Sequence, residues 1–133
     1  MSRENVETLR RLFERWGQGI TEVPTDLVAP EIELASPFAD LRGGPYRGYD
    51  GARDWLRDIH EQFETWAYTI GEWHDLGTRV LALGSVQLEG RGSGLALDQE
   101  VGWLAGFSAD GRVSHIRVFA DHEAAREAAA TAE

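Results

Sequence analysis

Two stretches of the chain carry apolar residues at the spacing of an amphipathic helix. In residues 4–18 the repeated apolar positions are Val6, Leu9, Leu12, Phe13 and Trp16. In residues 50–63, where Asp50 stands at the N-cap position, they are Ala52, Trp55, Leu56, Ile59 and Phe63. A shorter, alanine-rich helix is predicted over residues 122–132, with Asp121 as its cap.

Alternation of apolar and polar residues predicts the strands. They cover residues 31–38, 66–74, 79–91, 95–107 and 112–120. Hairpin turns are indicated at residues 75–78 and 109–111 because both contain Asp and Gly. A short irregular helix is predicted at residues 26–29, and a loop rich in Gly and Pro at residues 39–48. Long antiparallel strands after two helices indicate an α+β fold with helices on one face of a sheet.

Length and composition narrow the class of protein. The chain has 133 residues, which predicts a single domain over residues 1–133. Its net charge of -10 argues against a nucleic-acid partner, since phosphate binding needs a basic surface. No apolar run resembles a signal peptide or a membrane span, so we expect a cytoplasmic protein with no membrane partner. The chain contains neither Cys nor Lys, which excludes a thiol nucleophile and a lysine Schiff base.

Four histidines are the remaining residues that suggest a metal site or acid–base chemistry. A site with two histidines and one carboxylate needs ligands that converge on one point. The spacing of His60, His74, His115 and His122 gives no sign of such convergence. We therefore predict no metal and no cofactor.

The order of several short segments resembles SnoaL-like proteins of the nuclear transport factor two-like superfamily. The matching segments are LRRLFERWGQG, EIELASPF, YRGYDGARDWL, GRGSG, DQEV and DGRVSHIRVFADHEAA. They span nearly the whole chain. The resemblance implies a cone-shaped, curved and mostly antiparallel sheet wrapped around the N-terminal helices, with an internal apolar cavity that is open at one end. It also implies a homodimer formed through the outer face of the sheet.

The same resemblance places the catalytic positions of known relatives on residues that cannot do that chemistry. In ketosteroid isomerases, a system that is also a standard example of pKa tuning, the Asp base aligns with Ser36. The Tyr and the protonated Asp of the oxyanion hole align with Leu12 and Trp103. The acidic residue of SnoaL-type cyclases falls near Val118, and Asp121 three residues later is interpreted as a helix cap. Isomerisation and cyclisation by those mechanisms are therefore disfavoured.

A different acid–base pair is the candidate catalytic site. His60 borders the apolar stripe of the second long helix and could face the cavity, where a carboxylate such as Asp40 would pair with it. Dehydratases of this fold use a His–Asp pair in a comparable way, although no motif here matches theirs. A His60 that is solvated or satisfied within the fold is the alternative.

The cavity wall follows from alternation along the strands. If Trp103 points inward, Gln99 and Val101 share its face, whereas His115, Arg117 and Phe119 lie on the outer face. The predicted ligand-binding residues are Trp16, Ser36, Phe38, Trp55, Ile59, Phe63, Gln99, Trp103, Ile116, Val118 and Ala120. Such a wall suits a small hydrophobic molecule. The alternative is that the aromatic side chains fill the core and leave little cavity.

Two classes of function remain open. One is an isomerase, cyclase or hydro-lyase that acts on a hydrophobic carbonyl compound by general acid–base catalysis. The other is a non-catalytic binding or dimeric interaction module. A homodimer through the outer sheet face is expected in either case, because Arg and aromatic residues on an exposed sheet face are typical of interfaces.

Overall fold

The computed structural model of the chain describes residues 2–17, 22–90, 92 and 96–131. Four helices are present there: α1 (Ser2–Gly17), α2 (Pro37–Leu41), α3 (Gly48–Gln62) and α4 (His122–Ala130). The strands are β1 (Val28–Ala35), β2 (Tyr46–Arg47), β3 (Phe63–Asp75), β4 (Arg79–Gly90), β5 (Ala96–Phe107) and β6 (Val113–Phe119). No helix among these described residues is long and apolar enough to cross a membrane.

The strands form one strongly curled sheet in the order β2-β1-β6-β5-β4-β3. All neighbouring strands are antiparallel except β1 and β6, which are parallel. Helix α1 packs on β3 and β4, and helix α3 packs mainly on β1. The predicted α+β fold, with a curved and mostly antiparallel sheet around the N-terminal helices, is confirmed.

Three local predictions are wrong around the first strand. The irregular helix expected at residues 26–29 is absent, because a turn closed by Val28 N–H on the Pro24 carbonyl leads directly into β1. The predicted loop at residues 39–48 contains the end of α2 and the strand β2. Helix α3 begins at Gly48, so Asp50 lies in its first turn, where it pairs with Arg53, and does not cap it.

Helix α4 corrects the prediction that all helices share one face of the sheet. It packs on the outer face against β4 and β5, where Leu81, Leu83 and Leu104 form a small cluster with Ala125. A side chain at Gly102 would collide with Ala125, so the helix approaches closely only because that strand position is glycine. Asp121 caps α4 as predicted, since its carboxylate accepts the Ala124 N–H at 2.7 Å.

Two tyrosine hydroxyls fix α3 against the sheet. Tyr46 donates a hydrogen bond to the Asp58 carboxylate at 2.7 Å, and Tyr49 donates to the Val28 carbonyl at 2.8 Å. Burial, and then the bond to Asp58, raise the pKa of Tyr46 to about 12. The hydroxyl therefore stays protonated at neutral pH and holds α3 beside β2.

Candidate functional site

A cavity of about 220 Å³ lies between α3 and the inner face of the sheet. Pro37, Gln99 and Ala120 are exposed at its rim, so the cavity reaches solvent where β6 ends and β5 begins. Among the described residues, the lining consists of Ser36, Pro37, Trp55, Ile59, Phe63, Trp66, Val86, Leu88, Gln99, Val101, Trp103, Val118, Phe119 and Ala120. The wall is almost entirely apolar.

Strand alternation and strand pairing place these side chains together. On β5, Gln99, Val101 and Trp103 point to the same face, as expected for every second residue of a strand. Trp103 pairs with Val118 on β6. In the parallel pairing of β1 with β6, Ala35 lies beside Arg117. Ser36, the next residue after Ala35, therefore lies at the same end of the sheet as Val118, the next residue after Arg117.

Aromatic rings from three elements form a large part of the described wall. Trp55 comes from α3, Phe63 and Trp66 from the start of β3, and Trp103 from β5. Phe63 and Trp66 lie with ring centroids 5.7 Å apart. Aromatic side chains with two rotatable bonds form a rigid surface, which favours flat apolar ligands over flexible polar ones.

Most of the side chains that sequence alternation predicts for the wall lie around this cavity. They are Ser36, Trp55, Ile59, Phe63, Gln99, Trp103, Val118 and Ala120. Their role in ligand binding stays a prediction.

Two other predicted side chains are described and lie away from the cavity wall. Trp16 packs behind Trp55 in an edge contact with ring centroids 5.2 Å apart, and Ile116 is buried in the core. The side chain of Phe38 lies outside the described part of the structure.

Several residues of the described wall are not among those predicted from the sequence. Val86 and Leu88 on β4 alternate with outward-facing Gln87, so the strand alternation that predicts Gln99 and Trp103 also marks them as inward-facing. Trp66 begins the inward-facing alternation of β3 and carried a comparable signal. Phe119 was expected on the outer face and does pack there with the cluster under α4, yet it also borders the cavity.

Polar groups are few within the wall. Ser36 caps α2, and its hydroxyl oxygen accepts the Ala39 N–H at 3.0 Å. Gln99 is exposed at the rim. The indole N–H of Trp66 is buried and finds no hydrogen-bond acceptor among the described residues. Its ring makes an edge contact with Tyr68, whose pKa is raised chiefly by burial.

No residue of the described wall has an acidic or basic side chain. His60 is half buried on α3 and Asp40 is exposed on α2, and neither of them lines the cavity. Leu12, which aligns with the isomerase Tyr, is fully buried in the core. Residues 2–17, 22–90, 92 and 96–131 contain no cluster of three potential metal ligands.

Solved structures share this architecture over nearly the whole chain. An NTF2-like protein from Burkholderia pseudomallei is 19% identical, with a TM-score of 0.79 over 97% of this chain and 98% of its own. TerC, co-crystallised with polyporic acid, is 17% identical, with a TM-score of 0.78 over 96% and 99% of the two chains. A SnoaL-like polyketide cyclase from Jannaschia is 23% identical, with a TM-score of 0.75 over 98% and 94%.

These structural similarities establish the fold. No curated protein sequence matches the chain significantly. The profile of the SnoaL-like domain family matches residues 9–125, which include α3 and all six strands. The chain therefore belongs to the SnoaL-like domain family, within the NTF2-like fold.

Proposed function

We propose that this protein binds a small, apolar, ring-containing molecule in the cavity between α3 and the sheet, and that the cavity wall itself performs no acid–base chemistry. The observation that carries the proposal is the composition of the described wall, which joins tryptophans and aliphatic side chains to two polar side chains, Ser36 and Gln99.

The size of the cavity supports a ligand of one or two rings. A dry apolar cavity of about 150 Å³ is enough to hold benzene. The cavity here has about 220 Å³, which suits a substituted single ring or two fused rings. Binding removes the apolar surface of such a ligand from water, which contributes about 25 cal/mol for each Å² buried. Binding therefore does not require a charged contact.

Binding is favoured over catalysis because proton transfer needs a titratable group within reach of the ligand. The aligned base position is Ser36, whose hydroxyl is held in a helix cap without a basic partner. Trp103 and Val118 occupy two further aligned positions and offer no acid. A general acid or base would have to come from outside the described wall.

Isothermal titration calorimetry with 2-acetylnaphthalene tests this proposal. We expect saturable binding to one site per chain, and loss of binding in Val86→Phe, because the added ring occupies the cavity. Arg53→Gln, at an exposed position on α3, is the matched control and should bind like the parent protein. Failure of the parent to bind both this ketone and its alkyl analogue 2-ethylnaphthalene, or equal binding by Val86→Phe, would contradict the proposal.

Association of two chains through the outer sheet face stays a prediction. Helix α4 covers part of that face, while His115 and Arg117 are exposed beside it. The Arg117 guanidinium lies 5.0 Å from the centroid of the Phe119 ring. Light scattering should give twice the 14.8 kDa chain mass, and Arg117→Glu should lower it. A single-chain mass for the parent would contradict the dimer.

A further inference from the structure

The Ser36 hydroxyl accepts a hydrogen bond within the fold, and its proton is available to donate a second one. A serine hydroxyl can accept through its oxygen and donate its single proton. Here the oxygen accepts the Ala39 N–H as the cap of α2, and the N-cap residue has extended backbone angles of φ -162° and ψ 165°. The hydroxyl proton finds no acceptor among the described residues, and Ser36 lines the cavity. The cap therefore leaves a donor for whatever occupies the cavity.

The rest of the described wall offers no opposite charge to a charged ligand group. No described wall residue is Arg, His, Asp or Glu, so an anion or a cation inside the cavity would lose its hydration without gaining a charged partner. Gln99 can donate or accept through its amide, and its exposed position at the rim does not select between ligand types. The net charge of -10 further disfavours an anion that approaches the protein.

We infer that the ligand is an uncharged ring compound with a hydrogen-bond-accepting oxygen, such as a ketone, and that Ser36 donates its hydroxyl proton to that oxygen. This inference rests on the proposed binding function and assigns the ligand class for the same cavity. It gives Ser36 the role of a neutral donor at a position where the resemblance implies a base.

Four probes on one ring system separate the possible outcomes: 2-acetylnaphthalene, 2-ethylnaphthalene, 2-naphthoate and 2-naphthylmethylammonium. They place a ketone, an alkyl group, an anion and a cation on the same skeleton. We expect the ketone to bind the parent protein at least about a hundredfold more tightly than either ion, because each ion must be desolvated. Equal or tighter binding of an ion would overturn the inference, whereas failure of both neutral probes would overturn the binding function itself.

Substitutions of Ser36 test the hydrogen bond separately from the helix cap. Ser36→Ala removes the donor and the cap together, so its effect on 2-ethylnaphthalene measures the contribution of the cap alone. We expect Ser36→Ala to weaken 2-acetylnaphthalene about five- to tenfold while 2-ethylnaphthalene changes less than about twofold. Ser36→Thr retains cap and donor and should restore the preference. An equal effect of Ser36→Ala on both probes, or no effect on either, would overturn the assignment.

Discussion

The two ends of the cone are built from the same kinds of side chain but are packed differently. At the end that carries the N-terminus of α1 and the β3–β4 turn, Leu9 and Leu12 are fully buried in the core together with Ala82. At the opposite end, Trp55 and Ile59 of α3 face Val86 across a cavity. Apolar alternation in the strands is common to both ends.

The difference lies in what the helices supply. Helix α1 inserts Leu12 and Phe13 into the curve of the sheet, where Phe13 contacts Trp103 with ring centroids 5.2 Å apart. At the open end, the side chains of α3 form one wall of the cavity and leave the space in front of them unfilled. An apolar pattern therefore predicts an inward face, while the packing of the helices decides whether that face encloses core or cavity.

The largest effect is expected from removing a side chain at the filled end. Leu12→Ala should lower the free energy of unfolding by about 2–5 kcal/mol, because it leaves a hole in close-packed core. At the open end, Val118→Ala removes a partly exposed side chain beside existing space and should cost about 1 kcal/mol. Urea denaturation measures both values. Equal losses would remove the distinction between the two ends.

Adding volume should also cost more stability at the filled end than at the open end, and one strand allows the comparison. Ala82 and Val86 lie on the same face of β4, but only Val86 lines the cavity. We expect Ala82→Leu to destabilise the protein by about 1–3 kcal/mol through overpacking. Val86→Phe should change stability by less than about 1 kcal/mol, because its ring enters empty space. Thermal unfolding compares them, and a larger loss for Val86→Phe would show that the cavity cannot accept a ring.

The position of α3 should depend on Tyr46. Tyr46→Phe removes the hydrogen bond to Asp58 and should cost about 1 kcal/mol at neutral pH. The pKa of Tyr46 is raised in the folded state from 10.0 to about 12, so the folded state holds this proton more tightly than the unfolded state. The parent protein should therefore lose stability as the pH rises from 10.0 towards about 12.

Tyr46→Phe should lose less stability than the parent over that alkaline range. It should not lose the dependence entirely, since burial also raises the pKa of Tyr68. Urea unfolding at a series of pH values measures the two slopes. Identical slopes would show that Tyr46 does not hold α3 through its proton.

The smallest effect is expected at the sequence-predicted catalytic pair. His60 follows Ile59 on α3, which turns its side chain about 100° away around the helix, and Asp40 is exposed on α2. His60→Gln and Asp40→Asn should each change the affinity for 2-acetylnaphthalene by less than about twofold. A tenfold or greater loss of affinity in either variant would show that His60 or Asp40 acts on the ligand at the open end.

Sequence patterns predicted the long strands and helices well, because each depends on local periodicity. Alternation around Trp103 also placed Gln99 and Val118 on the inner face, where they line the cavity. Trp16 and Trp55 show the limit of such patterns, since both lie on the apolar stripe of a helix and only Trp55 reaches the cavity. That difference arises from how α1 and α3 pack, which periodicity within either helix does not encode.

Long-range contacts account for the other differences. The parallel pairing of β1 with β6 joins strands far apart in the sequence, so no local signal marks it. The alanine-rich composition of α4 predicted a helix, but its place on the outer face depends on Gly102 of β5 beneath Ala125. Val86 differs from these cases, because the local alternation of β4 is enough to mark it as inward-facing.

Occupation of the cavity is tested most directly by the indole N–H signals of the five tryptophans in a nitrogen-15 NMR spectrum. With 2-acetylnaphthalene added, the signals of Trp55, Trp66 and Trp103 should shift most, because these rings line the cavity. Trp73, which contacts Phe13 outside the cavity wall, should shift least. An unchanged spectrum, or a largest shift at Trp73, would contradict a ligand site at the open end of the cone.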